Sequence, residues 1–286
     1  MTLHEIPLER RTLHGHFSRE LEPVVAVDPG DSIAFACPNA GWMLASGERF
    51  EPFDEELDEG HALVGPVEVR GARAGQTLAV RVDEVVPAGW GATLGPRLRL
   101  DWTLADGVGR DQKGRRVELR PFLGVLGMPP PEPGRHSTVP PRRSGGNIDC
   151  KELVAGSMLF LPLPVDGALF SAGDGHAAQG DGELSGTAVE CPVERAVLTL
   201  DVRDDLELRS PVARIEGAWL ALGFDEDLDA AAEQAAATML DLMERELGVD
   251  RSYALALASV AVDLRVTQVV NRVKGVHAVL RDGAIR

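Results

Sequence analysis

The chain has 286 residues, with 45 acidic against 29 basic side chains, a formal charge of −16. That length can bury a full core without staples. The acidity argues against nucleic acid, which needs a basic stripe to release counterions, and against anionic lipid. Gly 31 and Pro 19 stand beside one Tyr and eight Phe. So many chain-reversing residues favour short strands and turns over a helical bundle.

In chain order, Met1 to Glu9 has no apolar core of the signal-peptide kind, so a cytoplasmic protein is expected. Val24 to Val27 reads as a short strand, Asp28-Pro29-Gly30-Asp31 as a turn, and Ser32 to Cys37 as a second strand. Together they make a hairpin-like signature. The same device recurs where Ala74-Gly75-Gln76 leads into Thr77 to Val86, and where Ala155-Gly156-Ser157 leads into Met158 to Leu161. Gly107 to Arg116 is polar and reads as a hairpin tip. Met128 to Arg143 holds six prolines and cannot be a central strand; it is expected as a rigid loop around a site. No apolar run reaches the roughly 20 residues that span a bilayer.

Near the C-terminus, Asp225 or Asp227 caps an expected helix. Its stripe is Leu228, Ala231, Ala232, Ala235, Met239, Leu242 and Met243, and Gly248 ends it. Asp250 caps a second helix, and Leu264 to Val270 follows as a strand. The expected fold is mainly β, a β-sandwich or barrel-like core with an α+β segment near the C-terminus. Residues 1–204 would form the β-rich domain carrying the site loops, 205–275 an α+β module packed on it, and 276–286 a tail.

Polar chemistry concentrates in two places. One runs from His136 through Gly145-Gly146-Asn147-Ile148-Asp149. The other is Ser171-Ala-Gly173-Asp174-Gly175-His176-Ala-Ala-Gln179-Gly180-Asp181-Gly182-Glu183. Glycine permits close backbone approach, and carboxylates with an imidazole supply metal ligands or proton-transfer groups. Both runs are expected as loops that meet at one sheet end. His14-Gly-His16 would put two imidazoles on one side of an extended strand. No Gly-x-Ser-x-Gly elbow, phosphate loop or EF-hand spacing is present. Cys37, Cys150 and Cys191 form neither a disulfide framework nor a closely spaced zinc motif.

On these residues the chain resembles the acetamidase/formamidase family. The likeness lies in Gly134-Arg-His-Ser-Thr-Val-Pro-Pro141, Gly145-Gly-Asn-Ile-Asp149, Leu153-Val-Ala-Gly-Ser157 and the long run from Gly167 to Glu183. Asp263 to Val270 matches the family's ending, and a looser match lies at His61 to Val67. Ala62-Leu63-Val64 and Cys150 depart from the family pattern. The resemblance implies a β-rich homo-oligomer, a homodimer or larger, that hydrolyses the C–N bond of a small aliphatic amide to carboxylate and ammonia.

An amide carbonyl is a poor electrophile, and a divalent metal ion, with zinc the expected one, can polarise it and activate water. His16, Asp149 and His176 are the expected ligands. Glu183 is the expected general base, with Asp174 or Asp181 supporting it. Asn147, Gln179 and the backbone N–H groups of Gly145 and Gly146 would hold the amide. The competing reading is a non-catalytic β-sandwich module that captures a small ligand or metal.

Overall fold

Strand Thr77–Pro87 shows how the sequence builds its layers. Leu78, Val80 and Val82 enter one large apolar core, while Ala79 enters a second core on the opposite face. Leu159 and Leu161 alternate with Phe160 in the same way, and Leu220 and Leu222 with Ala221. Period-two alternation of apolar residues on both faces marks a sheet covered on both sides. A computed structural model describes residues 1–286.

A nine-stranded sheet runs in the order Leu3–Ile6, Asp31–Cys37, Val193–Arg203, Thr77–Pro87, Met158–Pro162, Val212–Ile215, Ala218–Asp225, Lys274–Arg281 and Val262–Gln268. Only its first pair is parallel. Facing it is a seven-stranded sheet whose centre is Phe122–Gly127, Phe170–His176 and Leu63–Val69. Leu123, Leu126, Val64, Val67 and Phe170 from this sheet share the core with the nine-stranded one. A four-stranded meander covers Trp90 to Glu118; the stretch 107–116, expected as a hairpin tip, instead contributes its own strand, Val108–Asp111, with tight turns on either side. The fold is mainly β, and the sheets are open rather than closed into a barrel.

Helix α1, Leu228–Leu247, covers the outer face of the nine-stranded sheet. Its N-cap is Asp227, whose side chain accepts from the N–H groups of Asp229 and Ala230, and Gly248 closes it in the left-handed region. Ala231, Ala235, Met239, Leu242 and Met243 are buried as the stripe requires, with Leu228 and Ala232 at its margin. At Gly223 a Cβ would collide with the backbone of Ala231 and Ala235, which lets helix and sheet meet closely. Replacing fully buried Met239 by Ala should cost about 2–5 kcal/mol, read by urea unfolding. Helix α2, Arg251–Ala261, is capped by Asp250, buries Ala254 and leaves Leu255 and Val260 exposed. No helix is long and apolar enough to cross a membrane.

Three expectations change. The Asp28–Asp31 turn forms, but its strands enter different sheets: Val25–Val27 pairs with Leu63–Val69, and Asp31–Cys37 pairs with Val193–Arg203. It is an arch, not a hairpin. The glycine-rich run at 170–176 is a central buried strand rather than a loop. Added Cβ atoms at Gly173 and Gly175 would strike the carbonyl oxygens of Ala62 and Cys191, so glycine serves close packing there. Residues 276–281, expected in a tail, lie in strand Lys274–Arg281, between Ala218–Asp225 and Val262–Gln268. One sheet therefore runs across residue 204.

Candidate active site

Gly124 lies opposite Asp174, because Leu123 pairs with Gly175 and Val125 with Gly173. A Cβ at Gly124 would lie 2.5 Å from Asp174 Oδ2, 2.6 Å from Asp149 Oδ1 and 2.9 Å from His176 Cε1. This glycine is thus the floor on which three ionisable groups converge. Asp174 and His176 share a face because they are two residues apart on one strand. Asp149 follows strand Gly145–Asn147, and Glu183 reaches in from the segment held where Gly182 bridges Gln268. Glu190 bridges both Ala92 and His176. Asp149, Asp174 and Glu183 all have positive φ, at 50°, 61° and 48°. Non-glycine residues held in that region mark strain kept where side chains must be aimed. Gly124→Ala should keep the fold's secondary structure by circular dichroism yet displace these groups and abolish turnover.

These groups line a cavity of about 280 Å³ with a buried acidic floor and a more exposed rim that includes Trp90, Leu94 and Arg99. The His176 ring has two acids at one nitrogen and a third at the other. Nε2 lies 3.4 Å from Asp174 Oδ2 and 3.2 Å from Glu190 Oε1, and Nδ1 lies 3.7 Å from Asp149 Oδ1. His61 Nε2 is 4.0 Å from Asp174 Oδ2. Thr138 Oγ1 accepts from the His61 backbone N–H at 2.9 Å and meets Nδ1 at 2.8 Å. Asn271 donates to Asp149 Oδ2, and Gln179 Nε2 donates to the Asp149 carbonyl at 2.7 Å.

Burial and the charge of Glu183 hold Asp149 well above the usual carboxylate range. Burial likewise pushes Glu183 up to about 7. Burial opposes the charge of Asp174 too, but His176 and His61 override it and hold that carboxyl well below its usual range. Burial would lower His176, yet Glu190 and Asp174 hold it well above an ordinary imidazole. One acid is therefore kept ionised while another is poised near neutrality, the division that acid–base chemistry uses.

Two sets of donors could hold a cation, Asp149–His176–Glu183 and Asp174–His176–Glu190. Buried atoms without any hydrogen-bond partner occur in both: Asp149 Oδ1, His176 Nδ1, Glu183 Oε2, Asp174 Oδ1 and Glu190 Oε2. Buried polar atoms normally have partners, so nitrogen and oxygen donors left bare here fit a divalent ion.

Of the residues singled out from the sequence, Asn147, Asp149, Asp174, His176 and Glu183 meet in this cavity. His16 does not. The chain changes sheet at Gly15, so His14 turns inward to Ser171 while His16 faces the Leu57 carbonyl at 3.2 Å in another cavity. Asp181 lies outside as well, 3.1 Å from Lys151 and 2.6 Å from Arg265. Gly145 and Gly146 pair in register with Gly127 and Leu126 and do not line the cavity. Gln179 reaches the site only through the Asp149 carbonyl. The proline-rich segment touches it only through Thr138 and otherwise frames the His16 cavity. Glu190, Asn271 and Gly124 carried no sequence signal, and His61 stood out only within the family-like segment.

Residues 131–217 match the Acetamidase/Formamidase family. Over 48 residues the chain is 54% identical to an acetamidase from Mycolicibacterium smegmatis, which covers 17% of this chain and 12% of that protein. The aligned part is thus a small fraction of that relative's length. The crystal structure of an acetamidase from Bacillus halodurans superposes with a TM-score of 0.85 at 27% identity, over 96% of this chain and 97% of that one. A predicted acetamidase/formamidase from Thermoanaerobacter tengcongensis gives 0.86 at 25% identity, over 98% and 96%. The matched segment contains Asn147, Asp149, Asp174, His176, Glu183 and Glu190, and the likeness of fold extends over nearly all of the chain. Over that segment the chain matches the acetamidase/formamidase family, and its fold is similar to that of solved acetamidases over nearly its whole length.

Proposed function

We propose that the chain is an amidohydrolase that converts a small aliphatic amide and water to a carboxylate and ammonia. The observation that carries this reading is the Glu183 carboxyl, poised near neutrality in a pocket beside the ionised Asp174 and the His176 imidazole. A general base works best with a pKa near the working pH. Glu183 takes a proton from the attacking water and delivers it to the departing nitrogen. The bare Asn147 Oδ1 accepts an N–H of the substrate amide and orients it. The apolar Met43, Ala92 and Leu94 face the aliphatic part.

The expected divalent ion, with zinc as first choice, fits best on Asp174, His176 Nε2 and Glu190. Their 3.2 and 3.4 Å separations are close to the roughly 3.4 Å edge of a tetrahedron with ~2.0–2.1 Å bonds. When bound, such an ion supplies Lewis acidity and lowers the pKa of water. His176 Nδ1 would then donate to Asp149, which fixes the ring's tautomer and orientation. Proton NMR of the protein incubated with acetamide and zinc tests the reading. The methyl signal of acetamide should give way to that of acetate; saturable binding with the amide left intact would establish the non-catalytic module instead.

A further inference from the structure

Cys150, next in the chain to Asp149, points away from the cavity into a second cluster. We infer that Cys150, Glu152 and His277 form a separate site for a thiophilic divalent cation of the zinc class. Cys150 and His277 are fully buried and Glu152 is 6% exposed. One ligand atom from each lies within 4.8 Å of the others. Cys150 Sγ is 3.5 Å from Glu152 Oε2, and His277 Nε2 is 3.8 Å from the same oxygen. Bonds of ~2.3 Å to sulfur and ~2.0–2.2 Å to oxygen and nitrogen, at tetrahedral angles, require edges of roughly 3.3–3.6 Å. Small side-chain shifts reach that geometry.

The surroundings aim the ligand atoms. Thr267 Oγ1 meets His277 Nδ1 at 2.8 Å, and as acceptor it fixes the tautomer that leaves the Nε2 lone pair free. That Nε2 is buried and has no hydrogen-bond partner, although it faces Glu152 and Cys150. Arg265 Nη1 takes Glu152 Oε1 at 2.9 Å and leaves Oε2 for the cluster. Asp181 holds Arg265 in turn at 2.6 Å. Outer partners that orient each donor are the usual companions of a metal site. Glu152 also lines a surface cavity of about 540 Å³, which offers an entry path. On binding, Cys150 loses its thiol proton to solvent as the sulfur–metal bond forms, and nothing is oxidised or reduced. Three protein donors leave one tetrahedral position open. The ion would tie the segment carrying Asp149 to strand Lys274–Arg281.

The catalytic cluster offers only nitrogen and oxygen donors, so a thiolate signature separates the two sites. Metal-free protein loaded with Co²⁺ should show thiolate-to-cobalt charge-transfer absorption in the near ultraviolet. Cys150→Ser should abolish that band and lower bound cobalt by one ion per chain, whereas Cys191→Ser should keep both. Cobalt binding with no thiolate band, or a band unchanged in Cys150→Ser, would overturn the inference. X-ray absorption of the unmodified zinc-loaded chain needs no variant. It should show a sulfur neighbour at about 2.3 Å, and a zinc shell of nitrogen and oxygen alone would contradict the site.

Discussion

Glu183→Gln should lower kcat by about 10²–10⁴-fold while leaving the fold intact, because in the proposed mechanism it removes the proton acceptor but keeps the side chain's size. The native chain should also show a limb in its pH profile that the variant lacks. Glu183 must be ionised to accept a proton, and burial pushes its carboxyl up to about 7. Activity should therefore rise about tenfold per pH unit below that point and level above it.

Stability should move the other way. The folded-state value lies above the ordinary 4.5, so the neutral form favours the fold. That contribution is complete below 4.5 and is lost as pH climbs through 7. Thermal melts across this window should show the native chain losing stability with rising pH and Glu183→Gln losing less. A pH–rate limb that persists in the variant would assign the base to another group.

His176→Gln should destabilise the protein by about 3–5 kcal/mol in urea unfolding, since removing one partner strands the buried charges that faced it. Asp174 and Glu190 both approach the same ring nitrogen and are only 2% and 8% exposed. Turnover should vanish as well. A second substitution, Asp174→Asn, should restore part of the lost stability without restoring activity, because it removes one stranded charge. Full additivity of the two losses would show that the residues do not interact.

Local physics made much of this fold readable. Asp250 and Gly248 announce helix ends by themselves, the choice between Asp225 and Asp227 being settled by the Asp227 cap, and the alternation in Thr77–Pro87 announces a strand. Strand pairing was not readable, because the Asp28–Asp31 turn looks the same whether its flanks pair with each other or part into two sheets. Gly173 and Gly175 pointed to a loop since glycine is sparse in strands. Their purpose is the close approach of Ala62 and Cys191, which only the tertiary structure reveals.

The same divide runs through the site. Asp149, Asp174, His176 and Glu183 lie in dense polar runs and were legible. Glu190 and Asn271 look ordinary in sequence and reach the cavity through strand pairing and chain folding over long separations. His16 misled because two-residue spacing implies a shared face only while a strand stays straight. At Gly15 a Cβ would collide with the Asp58 backbone, and the chain turns there.

The central claim is that the acidic cavity hydrolyses an amide and that Glu183 moves the proton. Ammonia release from formamide, acetamide and longer aliphatic amides, followed side by side for the native chain and Glu183→Gln with divalent metal supplied, tests it most directly. The account predicts release from at least one of these amides by the native chain and a loss of 10²-fold or more in the variant. No release from any of them by folded, metal-supplied protein, or equal release by the two proteins, would contradict it.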